Sequence, residues 1–199
     1  ARDVSSRIYL EDVPSAREHL ASMIEAIRQN KVVTFDYHPY SRSQPTRGVS
    51  IEPYFLRIHR QLWYVTGRNI SENKIKTYSL DRIQNLTLQP TTFTPPEDVD
   101  PKHYFHDSFG IMVNQSEPKD VRLRVESRIA KYLRALPLHH SQQEMVGDGY
   151  SIVTLRLRIT TDFVKELLSW GPAITVEAPA ELRAMVVEQL KGALKNYGQ

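Results

Sequence analysis

Two histidine-bearing strings are the first places where catalysis or metal binding could reside. His103 and His106, with Asp107 beside the second, form a His-x-x-His-Asp string. On a helix, that spacing offers two imidazoles to one metal ion. The surrounding prolines and aromatics point instead to a packed connecting segment. His139-His140-Ser141 places bases next to a nucleophile. In an extended segment adjacent side chains point to opposite faces, so His140 and Ser141 would not act together. The chain has only eight glycines, and none is arranged as a P-loop or a dinucleotide fingerprint. It has no Gly-x-Ser-x-Gly elbow. No catalytic residue, metal ligand or cofactor is assigned, and the chain is expected not to be an enzyme.

A denser pattern lies between residues 31 and 90, where cations alternate with rings. The cations are Lys31, Arg42, Arg47, Arg57, Arg60, Arg68, Lys74, Lys76 and Arg82. The rings are Phe35, Tyr37, Tyr40, Tyr54, Phe55, Trp63, Tyr64 and Tyr78. Such interleaving on a small barrel suits a polyanion whose bases stack. Arginine adds bidentate contact with phosphate and stacking on rings. The competing reading puts Trp63, Tyr37 and Phe35 inside the barrel and leaves the cations as a solvated rim.

The charge distribution marks the same block. The whole chain of 199 residues carries 26 basic and 23 acidic groups, a net +3. Residues 31–90 hold nine basic and four acidic groups, net +5, whereas residues 91–120 hold two and six, net −4. The chain has no cysteine. That excludes a disulfide framework, a thiolate metal site and a cysteine nucleophile, and fits a reducing cytoplasm. The sequence contains no run of ~18 apolar residues and no signal-peptide core near its start, so no membrane role is expected.

These residues must be positioned by local structure. Ser15 with Glu18 forms a capping box after Pro14, and Ala16, Leu20, Met23, Ile24 and Ile27 follow at helical spacing up to Asn30. Val33, Phe35 and Tyr37 alternate as a strand. Further strands are expected over 49–59, 62–67, 74–80 and 83–88, with Pro53 marking an edge or a bend in the second. Five short strands avoid exposed edges most economically as a bent barrel. Residues 89–119 carry five prolines and read as a connector, although Tyr104, Phe105 and Phe109 suggest packing. The rest reads strand, helix, hairpin at Gly147-Asp148-Gly149, helix, strand and a last helix from Pro179, the βαββαβ order of a ferredoxin-like domain.

The fold class expected is therefore α+β. An N-terminal segment and capping helix (1–30) precedes a small five-stranded barrel (31–90). A Pro-rich linker (91–119) leads to a ferredoxin-like domain with an extra C-terminal helix (120–199).

Leu62-Trp63-Tyr64-Val65-Thr66-Gly67 resembles the signature strand of the WYL-domain family. The 47–54 stretch and Lys76-Thr77-Tyr78-Ser79-Leu80-Asp81-Arg82-Ile83 are similar to its flanking motifs. Residues 137–142 and 177–183 resemble the extension domain that follows WYL modules. Val65 stands where the family name has leucine, and Lys76 where arginine is usual. The resemblance implies an Sm-like, SH3-type barrel within a bacterial transcriptional regulator. It implies an effector, single-stranded nucleic acid or a nucleotide, held on basic and aromatic residues. Carried over position by position, these are Tyr37, Arg47, Trp63, Tyr64, Lys76, Tyr78 and Arg82; charge placement adds Arg57 and Arg60. The family's winged helix-turn-helix, through which DNA would be bound, needs more than the one helix that residues 1–30 hold. That head is expected to be missing, removed by truncation. A homodimer is expected, and the alternative function is a protein-interaction or dimerisation module without a diffusible ligand.

Overall fold

The structure is a computed structural model and describes residues 17–198. The capping box at Ser15, together with Ala16, lies outside the described residues. The chain divides into two compact units, which part between Pro101 and Lys102, inside the stretch whose composition reads as a connector.

In the first unit, helix α1 (Arg17–Arg28) is followed by β1 (Lys31–Tyr37), β2 (Thr46–His59), β3 (Leu62–Asn69) and β4 (Lys74–Ser79). One 3-10 turn, Leu80–Arg82, leads into β5 (Ile83–Thr92). The sheet order is β4-β3-β2-β1-β5. β4 and β5 stand at opposite ends of that order, yet only three residues separate them. The sheet must therefore curl until its two edges approach at the Leu80–Arg82 turn. Val33, Phe35, Ile51, Val65, Tyr78 and Leu80 line the inside, and Met23 and Ala26 of α1 close over it. Val33 and Phe35 alternate along β1, and Val32 is buried on the opposite face, so the strand is covered on both sides near its start.

Two local devices shape this sheet. Arg60 and Gln61 both adopt positive φ, 48° and 66°, giving the two-residue turn whose twist matches that of the joined strands β2 and β3. Pro53 lies in a central strand rather than at an edge. It is accommodated where the β2–β3 register shifts between Pro53 and Phe55. Opposite Pro53 stands Gly67. A Cβ there would drive into the carbonyl oxygen of Glu52, so only glycine permits this approach.

The short helix α2 (Pro101–Phe105) starts at the boundary, and the second unit continues with β6 (Lys119–Glu126), α3 (Ser127–Ala135), β7 (Gln143–Val146) and β8 (Tyr150–Leu157). Helix α4 (Thr161–Ser169), β9 (Ile174–Ala178) and α5 (Ala180–Asn196) complete it. The order β7-β8-β6-β9 is antiparallel throughout. This is the split βαββαβ arrangement expected from the sequence. Thr160 caps α4 by accepting the Phe163 backbone N–H at 3.3 Å. Phe109, from the proline-bearing stretch, packs 5.6 Å from the Phe163 ring within this unit's core. The α+β fold class of the sequence reading thus holds.

Candidate effector-binding surface

The period of two along β3 separates its two aromatics. Trp63 packs against the core that contains Val65, while Tyr64 points to the other face and is itself buried there. The inner set is completed by Phe35, Tyr37 and Tyr78, which meet edge to face at 5.0–6.3 Å. Tyr78 is 5% exposed, and its oxygen accepts the Asn69 Nδ2 hydrogen at 2.9 Å. Burial holds its phenol above the ordinary pKa. Tyr37 accepts the Ser79 backbone N–H at 3.3 Å. Tyr37, Trp63 and Tyr78 therefore spend their ring faces on the core rather than on a surface.

Tyr64 pairs across the ladder with Arg57 on β2 and Ser79 on β4, so these three form one row. Tyr64 is 7% exposed and Arg57 is half-buried. Burial lowers the Arg57 pKa, the sign that its charged form has lost hydration. Arg60 projects at the exposed β2–β3 turn, and Arg47 is exposed near the start of β2. Lys76 is committed to Glu72, with an N–O separation of 2.5 Å. Arg68 is committed as well: its guanidinium forks onto Glu52 at 2.9 and 2.5 Å, and Tyr54 donates to the same carboxylate at 3.1 Å. Arg68 is the main cause of the lowered Glu52 pKa. Two of the block's nine cations are thus committed to acids of the same block, and its net +5 rests on the others.

One cation and one ring do meet at the surface. The Arg82 guanidinium lies 4.3 Å from the centroid of Tyr40, within cation–π range. The Tyr40 hydroxyl donates to Asp81 Oδ2 at 3.0 Å, and Ser79 Oγ donates to Asp81 Oδ1. Arg82 Nε stands 3.8 Å from Asp81 Oδ2, too far for a hydrogen bond, and has no acceptor among the described residues. Tyr40 is 78% exposed. It belongs to the ring count of the basic block but not to the positions carried over from the resemblance. Its loop has no strand periodicity to fix its direction, so sequence patterning could not place it.

The histidine strings also meet, in the second unit. His139 Nε2 and His140 Nε2 both donate to the His106 carbonyl at 2.7 Å. His106 Nδ1 contacts Asp107 Oδ1 at 2.8 Å, and His139 Nδ1 contacts Ser141 Oγ at 2.7 Å. Ser141 thus reaches the histidine two positions away, not the adjacent one. The Nε2 atoms of His139 and His140 pin the backbone at His106. Among the described residues no group of three His, Asp or Glu side chains is placed to hold a metal. Burial pulls the His139 pKa down.

Comparison with known proteins gives consistent domains. Residues 18–88 match the WYL domain and residues 117–194 the WCX domain. Protein PafB of Mycobacterium leprae is 22% identical over 191 residues, covering 94% of this chain and 56% of the relative. Protein PafB of Mycobacterium tuberculosis is 21% identical with the same coverage. The chain thus spans about half the length of these curated relatives. Among solved structures, a CRISPR Cas-related protein shares the fold with TM-score 0.59 at 12% identity, covering 92% of this chain and 53% of that one. Proteasome accessory factor B/C of Arthrobacter aurescens aligns over 94% of this chain and 28% of its own, with 22% identity and TM-score 0.42.

Proposed function

Because the chain joins a WYL domain to a WCX domain, we propose that it is the ligand-sensing portion of a bacterial transcriptional regulator, working in the cytoplasm. Its effector is an anionic nucleic acid or nucleotide, bound where Arg82 and Tyr40 meet. The observation that carries this reading is the Arg82 guanidinium against the ring of the exposed Tyr40. A phosphate is drawn to the exposed part of that cation, and a base extends the stack begun by Tyr40. Arg57, Arg60 and Arg47 add positive charge to the same unit, whereas Tyr37, Trp63 and Tyr78 serve by shaping the barrel. DNA contact and operator choice belong to the head that the family resemblance implies.

The test is fluorescence anisotropy of a labelled oligo-dT with the full chain across a salt series. Binding should weaken linearly in log–log form, and Arg82→Ala should weaken it by about tenfold and flatten the salt slope by about 1. Wild-type binding indifferent to salt, or unchanged binding by Arg82→Ala, overturns the reading.

A second reading, a dimerisation module, has one observation in its favour. Val187, Leu190 and Leu194 recur at three- and four-residue spacing along the exposed half of α5, and Tyr197 at its C-cap, 85% exposed, continues the spacing. Light scattering that shows a monomer at every concentration removes it.

A further inference from the structure

The second unit carries a separate cleft on the face of its sheet. Along β6 the side chains of Val121, Leu123 and Val125 fill the core. Asp120, Arg122 and Arg124 must then face the other way. The register aligns Arg122 with Ala178 on β9 and with Thr154 on β8, and Thr154 with Gln143 on β7. One residue pair further along, Asp120 stands opposite Arg156. Asp120, Arg122, Gln143, Thr154, Arg156 and Ser141 line an open depression of about 570 Å³. That volume lies within the ~300–1,000 Å³ of ordinary small-molecule sites.

The two arginines are braced by neighbours. Arg122 Nε donates to Glu177 Oε2 at 2.7 Å. Arg156 Nη1 donates to Asp120 Oδ1 at 3.0 Å. Each guanidinium is held on one edge while its other donors remain for a ligand. Thr154 adds a hydroxyl and Gln143 a carboxamide on the same row. So many donors around one space match the several acceptor oxygens of a tetrahedral phosphate. Asp120 and Glu177 balance the two guanidiniums, so the cleft exerts little long-range pull on a polyanion. Recognition here depends on short hydrogen bonds.

We propose that this cleft binds a phosphate-bearing small molecule, with Arg122 and Arg156 holding the phosphate. Asp120 acts as a stand-in anion that the phosphate displaces from Arg156. Its side chain is 84% exposed, so releasing this ion pair costs little. The site is independent of the Arg82 surface in the first unit.

The experiment is calorimetric titration of the full chain with adenosine monophosphate, adenosine and oligo-dT. Adenosine monophosphate should bind and adenosine should not. Arg122→Gln should weaken binding by about tenfold and Asp120→Asn should tighten it by a few fold, since one removes a donor and the other a competitor. In an Arg82→Ala background, which removes any nucleotide held by the first unit, adenosine monophosphate binding should persist and remain sensitive to Arg122→Gln; its loss there assigns the nucleotide to the Arg82 surface and overturns the proposal. Circular dichroism establishes that each variant is folded, and Asp120→Asn reports on the cleft even if Arg122→Gln is not. Equal binding of adenosine, binding of oligo-dT alone, wild-type affinity in Arg122→Gln, or no binding at millimolar nucleotide overturns the proposal.

Discussion

Tyr40 lays its ring 4.3 Å from the Arg82 guanidinium while its hydroxyl bonds to the neighbouring Asp81. The loop between β1 and β2 is thereby fastened to the turn that joins the sheet's two edge strands. One exposed cation–π contact and one hydrogen bond are each worth about 1 kcal/mol, so ligand contacts of ordinary strength compete with them.

Charge and shape at this position separate in an Arg82→Lys variant. Lysine keeps the positive charge but not the planar fork or the stack. Anisotropy should show a wild-type salt slope with about threefold to tenfold weaker oligo-dT binding. Full wild-type affinity would mean that charge alone matters.

Gly67→Ala places a methyl group against the Glu52 carbonyl. Backbone atoms on both sides must move, and the loss should be about 1–3 kcal/mol. Urea unfolding followed by Trp63 fluorescence measures it. A wild-type midpoint would show that the β2–β3 bulge relaxes freely.

Loss of the α4 cap in Thr160→Ala should cost about 1 kcal/mol, because the Phe163 N–H loses its acceptor in a buried setting. Trp170, at the other end of the same helix, reports the shift in the urea midpoint. Thr160→Ser keeps the oxygen and should lose much less.

Acidification should loosen the second unit through His139. Its pKa in the fold lies below the ordinary imidazole value, because burial disfavours the charged ring; the hydrogen bond to the His106 carbonyl and the Asp107 charge oppose that, while the His140 and His106 rings add to it. The unfolded chain therefore takes up the proton first. The stabilisation is complete above about pH 6.5 and declines as pH falls toward the lower folded pKa. Urea midpoints read by Trp170 fluorescence should drop over that range, and His139→Gln should flatten the drop. A wild-type midpoint that rises on acidification would contradict this sign.

The sequence made the period of each strand readable, since Val33, Phe35 and Tyr37, or Val121, Leu123 and Val125, alternate without ambiguity. It also made the βαββαβ order of the second unit readable. It left undecided which way the rings of the five-stranded sheet face, because Trp63 and Tyr64 are both large and only the register of β3 against β2 and β4 assigns them. Arg68 and Glu52 lie on different strands, so their ion pair depends on pairing that local pattern does not contain. Tyr40 sits in a loop governed by no periodicity, and its contact with Arg82 arises only after the sheet curls. Phe109 lay among prolines, where composition argues for a connector, yet the core of the second unit claims it.

The position of β1 has a consequence for how the chain is made. β1 is bonded on one side to β2 and on the other to β5, with Lys31 opposite Thr92. During synthesis its second margin stays unsatisfied until residue 92 has emerged, and an open strand margin invites association with other chains. The first unit therefore gains its stability late and all at once. Shortening the chain ahead of β5 would leave an aggregation-prone remnant rather than a smaller working domain.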